Sequence, residues 1–220
     1  MKNIFITGID TDVGKTLVSI GICLKKEAEN FSVGYYKPLQ SGAYEKYGNM
    51  IAPDIEEIKK YSNVKSKFSY LFKGEVSPNL ASYIDNVSID ISKIKTDFIN
   101  FSSDFDFTLS EGAGGLYCPA FKNTLFSDII KILNQEIIIV TTPKLGSLNH
   151  TLMTIECARL NNIKIKGLIV NKIPKNQTLS EKKFIEELKM FTDVKILGQI
   201  PCIDNLSKDT ILNAFKNVNL

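Results

Sequence analysis

The sequence predicts an α/β fold in three layers, with a mostly parallel β-sheet between two layers of helices. Short apolar runs alternate with helical patterns along the 220 residues. Several runs are continuous and β-branched, as in Glu136–Thr141 and Ile165–Val170, which is typical of strands buried on both faces. This alternation favours right-handed βαβ units. We expect one domain over residues 1–220, because no repeat, low-complexity tract or linker divides the chain.

The elements follow one another in a regular order. Strands are predicted at 3–7, 33–37, 105–110, 136–142, 165–171 and 195–199, and helices at 15–29, 124–134, 148–161, 180–191 and 207–217. The less regular segment from about 42 to 100 is interpreted as helices inserted over the site, with a helical pattern after Asp54 and a turn at 77–79. Ligands of such sheets bind at the carboxyl ends of the strands, so the segments that follow the strands should converge.

The first strand leads into a turn bounded by glycines. Gly8 and Gly14 enclose five residues, and Lys15 and Thr16 follow at the start of a helical pattern. Backbone N–H groups at a helix N-terminus bind anions, which the helix dipole also favours. Lys15 would reach the β- and γ-phosphates of a nucleotide, and the Thr16 hydroxyl would bind Mg²⁺. The alternative is a plain strand–turn–helix junction, which the strand before and the helix after make less favourable.

Composition excludes several classes of protein. The net charge of +3 is small and dispersed, so it gives no case for nucleic acid. No apolar run approaches the roughly 20 residues that span a bilayer. The four cysteines are far apart and no secretory signal is recognisable, which favours a reducing cytoplasm. A single histidine, His150, argues against a histidine-rich metal site and weakens the case for a serine or cysteine nucleophile.

Further polar side chains follow predicted strands. Lys37 precedes Pro38, and its alternative interpretation is a surface lysine that reaches into solvent. Glu111 precedes a glycine-rich turn, where phosphate-loop proteins carry a Mg²⁺-binding acid, although a solvated loop glutamate is the alternative. Asp12 and Asp54 are further acids that would equally serve as helix caps.

Three more segments are candidates for the ligand pocket. Asn171 ends a strand, and its amide offers both a donor and an acceptor to an adenine edge, or it simply forms a turn. The segment 201–203 follows the last strand and would form a wall of a base pocket. The segment 144–150 joins a strand to a helix, and Ser147 as N-cap would leave N–H groups free for an anion. The alternative for this last segment is a capped helix alone.

Together these motifs resemble the dethiobiotin synthetase family. The matching stretches are Thr7–Thr16, Tyr36–Gly42, Glu111–Gly115 and Lys144–His150, with Ser77–Pro78 and the Asn171 turn. They occur in the family's order along the chain, and the wide spacing from Gly8 to Gly14 is usual there. The chain departs from the common pattern at Asp12, often Glu, at Ser110, usually apolar, and at Lys172, often Asp.

The resemblance implies a cytoplasmic ATP-dependent ligase of biotin biosynthesis, with ATP as co-substrate and Mg²⁺ as cofactor. The family joins CO₂ to 7,8-diaminononanoate (7,8-diaminopelargonate) and closes a cyclic urea, releasing ADP and phosphate. A carbamate attacks the γ-phosphate to give a carbamic–phosphoric anhydride, and the second amine then closes the ring. Such chemistry requires alignment and neutralisation of phosphate charge.

The resemblance also implies residue roles and a homodimer with the active site at its interface. Lys37, Lys15 and Thr11 would be catalytic, and Thr16, Asp54 and Glu111 would hold Mg²⁺. The diamine would meet Ser41 and Lys37, with the turn Gly146, Ser147, Leu148 and Asn149 of the second subunit on its carboxylate. ATP would contact Asp12, Val13, Gly14, Lys15, Thr16, Leu17, Asp54, Glu111, Gly112, Ala113, Gly114, Asn171, Lys172, Pro201, Cys202 and Ile203.

Three alternatives remain. A regulatory ATPase switch of the ParA/MinD or nitrogenase type has a similar sheet, but its loop carries a second lysine where this chain has Ile9, Asp10 and Thr11. A cobyrinate amide synthetase-type enzyme carries an additional glutamine amidotransferase domain, for which this sequence has no room. A non-catalytic nucleotide-binding module is disfavoured by the combination of Lys15, Thr16 and Glu111.

Overall fold

A computed structural model describes residues 2–220. Over these residues the chain forms the following strands and helices in order: β1 (Lys2–Gly8), α1 (Lys15–Ala28), β2 (Val33–Gln40), β3 (Tyr44–Lys46), β4 (Asn49–Ile51), α2 (Pro53–Tyr61), β5 (Lys65–Leu71), α3 (Pro78–Ile84), α4 (Ile91–Ser102), β6 (Phe107–Gly115), β7 (Pro119–Phe121), β8 (Thr124–Leu125), α5 (Phe126–Leu133), β9 (Glu136–Thr141), α6 (Ser147–Leu160), β10 (Ile165–Ile173), α7 (Leu179–Phe191), β11 (Ile196–Pro201) and α8 (Lys208–Phe215).

Seven strands form the central sheet, in the order β11–β10–β9–β1–β6–β2–β5. Every neighbouring pair is parallel. The predicted α/β class is therefore confirmed. Since β1 lies at the centre of the sheet, the turn that follows it lies between the ends of β6 and β9.

Helices cover both faces of this sheet, as the alternation predicted. On one face α1, α2 and α8 pack on the sheet, and on the other face α3, α4, α5, α6 and α7 do so. Neighbouring residues of one strand serve opposite faces: Tyr35 lies in the first core and Tyr36 in the second, both fully buried. This alternation determines which side chains of β2 reach the α1 side of the sheet.

Helix α8 packs closely on α1. A Cβ on Gly21 would lie 2.3 Å from Cδ2 of Phe215, so only a glycine allows this contact. Ile211 and Phe215 are fully buried in the same core as α1. Helix α8 therefore helps to hold α1 in place.

Four strands extend two residues or more beyond their predicted ends. Strand β2 continues to Gln40, β6 to Gly115, β10 to Ile173 and β11 to Pro201, so the segments predicted to follow these strands lie partly within them. The strands are longer because they continue to pair with neighbours that are distant in sequence. In β6, for example, pairing continues through the glycine-rich sequence, where Gly115 still pairs with Gly8. Strand β6 also begins at Phe107, two residues later than predicted.

The interpretation of 42–100 was wrong in part. This segment contains β5, a parallel edge strand of the main sheet, and α4, which packs on the second face. It also forms the hairpin of β3 and β4. The sequence Lys65–Leu71 is largely polar, as edge strands often are, and so lacks the apolar run that marks a buried strand. A second hairpin, of β7 and β8, was also missed, and β8 takes the first two residues of the helix predicted at 124–134.

No helix within residues 2–220 has both the length and the apolar character needed to cross a membrane.

Candidate functional site

The turn between β1 and α1 forms an open cradle at the N-terminus of the helix. Gly14 is the N-cap residue with φ of 85°, and Asp12 also has a positive φ of 53°. A Cβ on Gly8 would lie 2.7 Å from Cγ2 of Val13 and 2.8 Å from the Asp10 carbonyl oxygen, so the turn requires glycine there. The first turn of α1 has no acidic residue to compete for its N–H groups. These groups suit an anion.

The Lys15 side chain folds back over this cradle. Its ammonium donates to the Asp10 carbonyl oxygen at 2.9 Å, and the residue is only 9% exposed. Burial lowers the pKa of Lys15, and the nearby Glu111 carboxylate opposes that shift only in part. A buried ammonium whose partner is a neutral carbonyl gains more from an incoming phosphate than an exposed lysine would.

Glu111 lies at the centre of the site, 1% exposed, and accepts four hydrogen bonds. Its Oε1 accepts from Thr16 Oγ1 at 3.0 Å and from Lys37 Nζ at 3.0 Å. Its Oε2 accepts from Ser19 Oγ at 2.6 Å and from Tyr35 Oη at 3.0 Å. Burial, reinforced by Glu111, holds the pKa of Tyr35 well above its usual value, so the phenol keeps the proton that it donates.

Lys37 joins two carboxylates. Its ammonium contacts Asp54 Oδ2 at 2.5 Å and Glu111 Oε1 at 3.0 Å, and it donates to the Gly112 carbonyl oxygen at 2.9 Å. All three ammonium protons are thereby used. Burial alone would lower the pKa of Lys37, but Asp54 and Glu111 raise it above its usual value, so the residue stays charged. Burial would likewise raise the pKa of Asp54, and the Lys37 ammonium holds it below its usual value.

The oxygen atoms of Thr16, Asp54 and Glu111 fit a hard divalent cation. The pair of carboxylates already holds one positive charge, that of Lys37. Within residues 2–220 no group of three or more His, Cys, Asp or Glu side chains converges as a metal cluster. Two carboxylates and one hydroxyl are few protein ligands, which suits Mg²⁺ because it keeps several waters and takes phosphate oxygens.

Several cavities border the turn between β1 and α1, and two of them are lined by most of the predicted site residues. One of about 260 Å³ lies over the charged groups and is lined by Thr11, Asp12, Gly14, Lys15, Thr16, Lys37, Gln40, Ser41, Asp54, Glu111, Gly112, Ala113 and Gly114. Ser41 Oγ is buried and has no hydrogen-bond partner among residues 2–220. The second, about 490 Å³, is lined by residues 9–13, 142–147, His150, Lys172, Pro174 and Glu181.

Asn171 and Lys172 support the turn from the neighbouring strand end. Asn171 Nδ2 donates to the Val13 carbonyl oxygen at 2.9 Å, and Lys172 Nζ donates to the Asp12 carbonyl oxygen. Asn171 is fully buried, and its Oδ1 accepts no hydrogen bond from the part of the chain that the structure describes. The amide donor that was predicted to read adenine is thus used by the turn in this arrangement. Leu17, also predicted to contact ATP, packs half-buried against the first core.

The remaining predicted residues lie further out. Pro201 ends β11, Cys202 is exposed, and Ile203 packs against the first core. None of the three lines either cavity within the described chain.

The turn before α6 differs from its prediction in one respect. Gly146, with φ of 91°, is the N-cap of α6, so the prediction that Ser147 caps this helix was wrong. A glycine supplies the left-handed backbone at this turn, and Ser147 Oγ instead shares a hydrogen bond with Thr142 Oγ1 at 3.1 Å. Gly146 and Ser147 line the larger cavity, whereas Leu148 packs on the second core and Asn149 Nδ2 contacts Met153 Sδ at 3.4 Å.

Sequence reasoning missed Ser19 and Tyr35, the two donors to Glu111 Oε2. Signals for both were present. Ser19 is three residues after Thr16 and so lies on the same face of α1. Tyr35 is two residues before Lys37 and so lies on the same face of β2.

Comparison with known proteins identifies the family. A family model described as an AAA domain matches residues 2–210. The ATP-dependent dethiobiotin synthetase BioD of Caldicellulosiruptor saccharolyticus is 36% identical over 226 aligned positions, which cover 99% of this chain and 92% of the relative. The enzyme of the same name from Clostridium perfringens (strain 13) is 38% identical over 217 positions, covering 94% and 93%.

Solved structures agree on the fold. The septum site-determining protein MinD of Pyrococcus horikoshii, complexed with Mg-ADP, aligns with a TM-score of 0.62 at 16% identity, covering 97% of this chain and 86% of that one. A ParA family ATPase from Chlorobium tepidum aligns with a TM-score of 0.58 at 14% identity, and the alignment covers 99% of this chain and 92% of that one. At such low identity these likenesses concern the fold alone, whereas the relatives at 36% and 38% identity align over nearly the whole chain. The chain belongs to the ATP-dependent dethiobiotin synthetase family.

Proposed function

We propose that this chain joins CO₂ to 7,8-diaminononanoate and closes the cyclic urea of dethiobiotin, while ATP is converted to ADP and phosphate. Membership of the family supports the proposal. The observation that carries it is the meeting of Lys15, Thr16, Lys37, Asp54 and Glu111 at the end of the sheet.

The proposed reaction has three steps. One amine adds to CO₂ and loses a proton, which gives a carbamate. A carbamate oxygen attacks the γ-phosphorus and ADP leaves, which gives a carbamic–phosphoric anhydride. The second amine then attacks the carbonyl carbon and expels phosphate. Each step accumulates or moves negative charge, so the protein contributes alignment and charge neutralisation rather than a covalent intermediate.

Lys15 and Lys37 would supply this neutralisation. The Lys15 ammonium donates to the neutral Asp10 carbonyl oxygen and could turn from it to the phosphates. Lys37 must release the Gly112 carbonyl or a carboxylate before it donates to the carbamate, because its three protons are already used. Thr11 and Ser41, which line the same cavity, would orient the diamine and the carbamate.

Thr16, Asp54 and Glu111 would hold Mg²⁺, which when bound would neutralise charge on the β- and γ-phosphates. The N–H groups of the turn up to Gly14 would face those phosphates. The base would lie towards Asn171 and the segment 201–203, as the family resemblance implies.

We further propose that residues 1–220 act as one domain in a cytoplasmic homodimer. The turn Gly146 to Asn149 of one subunit would then hold the substrate carboxylate of the other. The left-handed Gly146 at the start of α6 supports this role, because it leaves the first N–H groups of the helix to an anion.

The decisive experiment supplies purified protein with the diamine, ATP, Mg²⁺ and bicarbonate labelled with both ¹³C and ¹⁸O. Dethiobiotin should carry the heavy carbon, and the released phosphate should gain one heavy oxygen from the carbamate. Omission of either diamine or ATP should abolish both signals. No dethiobiotin, together with ATP hydrolysis stimulated by a membrane or protein partner, would instead support the regulatory switch. Labelled dethiobiotin with unlabelled phosphate would reject the anhydride route.

A further inference from the structure

The two oxygens of Glu111 have different surroundings. Oε1 lies on the cavity side with Thr16 and Lys37. Oε2 lies on the core side, where it accepts from the hydroxyls of Ser19 and Tyr35. Ser19 and Tyr35 are both fully buried, so no water competes for this side of the carboxylate.

Each of the two donors is fixed by a regular element. Ser19 lies in the second turn of α1, and Tyr35 lies within β2, the strand next to β6 in the sheet. The tyrosine ring is part of the first core, which restricts its rotation. The carboxylate is therefore held from a helix and from a neighbouring strand at once.

This arrangement limits how Glu111 can bind a metal ion. A carboxylate offers about four lone-pair sites, and both sites of Oε2 are filled by hydroxyl donors. Only Oε1 remains for an ion, once a lysine or hydroxyl partner gives way. A bidentate bond would require the loss of buried hydrogen bonds to an ionised group, which are among the stronger ones.

Metal ions differ in whether they need the second oxygen. Ca²⁺ takes six to eight oxygen ligands and often binds a carboxylate through both oxygens, whereas Mg²⁺ requires octahedral geometry and uses few protein ligands. We propose that Ser19 and Tyr35 are positioning residues that make Glu111 a one-oxygen ligand and thereby favour Mg²⁺ over Ca²⁺. This inference rests on the metal site of the proposed function.

The test compares metal selectivity rather than activity. The protein–ADP complex is loaded with Mn²⁺, and free Mn²⁺ is followed by electron paramagnetic resonance while Mg²⁺ or Ca²⁺ displaces it, with ADP alone as the blank. Removal of outer-shell partners of metal ligands typically changes affinity by roughly 10- to 100-fold. In the double variant Ser19→Ala/Tyr35→Phe, the preference for Mg²⁺ over Ca²⁺ should fall by about 10-fold. Each single variant should show part of the change.

Tyr36→Phe is the matched control. Tyr36 is the next residue of β2 and equally buried, but its hydroxyl contacts Ser69 Oγ at 2.6 Å and the Ile94 carbonyl oxygen at 3.0 Å on the other face. Its loss should leave the Mg²⁺/Ca²⁺ ratio unchanged. Ser19→Thr retains the hydroxyl and should keep the wild-type ratio. General damage to the fold would lower the affinity for both ions alike and leave the Mg²⁺/Ca²⁺ ratio constant.

The outcomes separate the two hypotheses. If the wild-type protein–ADP complex binds Mn²⁺ no more tightly than ADP alone does, the proposed metal site and this inference are both overturned. If the wild type does bind the metal ion, but Tyr35→Phe and the double variant have the same Mg²⁺/Ca²⁺ preference as the wild type, only the inference is overturned. Should the double variant fail to fold, Tyr35→Phe decides, because it removes a single oxygen atom and keeps the ring.

Discussion

Replacement of Lys37 by methionine should destabilise the metal-free protein and remove activity. The substitution keeps an unbranched chain but deletes the ammonium that joins Asp54 and Glu111. Removal of one partner from a buried ion pair typically costs about 3–5 kcal/mol. We expect about 3 kcal/mol, at the low end, because the Asp54 side chain is 25% exposed and Glu111 keeps three other donors.

Mg²⁺ should reduce this loss. In the wild-type protein the proposed metal ion would compete with the Lys37 ammonium for Asp54 Oδ2 and Glu111 Oε1, whereas in the variant those oxygens are free of it. An ion that binds only the folded state stabilises it in proportion to the logarithm of its concentration over its dissociation constant. The variant should therefore gain more stability from Mg²⁺ than the wild type does.

Urea unfolding at pH 7, with EDTA and then with Mg²⁺, measures both effects. Lys67→Met is the matched control, since it removes a partly exposed ammonium 3.1 Å from Asp97 and should cost at most about 1 kcal/mol. Turnover of Lys37→Met should fall about 100-fold or more, as on loss of one donor to a transition-state oxyanion. Equal unfolding free energies for wild type and variant would refute the stability argument, and near-normal turnover would remove Lys37 from the mechanism.

Three further predictions follow from the site. Lys15→Met should raise the melting temperature of the nucleotide-free protein and weaken ATP binding. Burial lowers the pKa of Lys15, and its ammonium bonds a carbonyl rather than a carboxylate, so the buried charge costs stability. A lower melting temperature would contradict this. Gly14→Ala should lower the free energy of unfolding in urea by more than about 1–2 kcal/mol, since φ is 85° and the new Cβ would lie 2.3 Å from Asn171 Nδ2. Adding Asn171→Ala to this variant should restore part of the loss. The pKa of Asp54 is lower in the folded than in the unfolded state, so its contribution to stability is complete above about pH 4 and disappears as pH falls through the folded value. Unfolding free energies between pH 6 and pH 2 should fall less steeply for Asp54→Asn, and identical slopes would reject the assignment.

The sequence predicted those features of the site that depend on neighbouring residues. The first strand, its glycine turn and the helix at Lys15 follow from local pattern, and the structure has them at nearly the predicted positions. Asp54 was predicted to be a metal ligand only through the family resemblance, and that role stays a prediction. Its contact with Lys37 depends on how α2 packs beside β2, which no local pattern specifies.

Non-local pairing explains most of the errors. Strand β5 is too polar to resemble a buried strand, and its place at the sheet edge is fixed by its pairing with β2. The strand ends at Gln40, Gly115 and Ile173 likewise depend on neighbours that are far away in sequence. Sequence reasoning predicted that Glu111 is a Mg²⁺-binding acid but did not reveal that this carboxylate accepts hydrogen bonds from two other elements.

The close packing of α8 on α1 has a consequence for synthesis of the protein. The residues that would bind phosphate and metal, from Gly14 to Glu111, leave the ribosome before Ile211 and Phe215, which pack in the same core as α1. Because contacts between distant parts of a chain form slowly, α1 lacks the support of α8 until that helix has been made. Nucleotide should therefore bind weakly to nascent chains that lack α8, and its stabilising effect would act after α8 has packed on α1 rather than guide earlier folding.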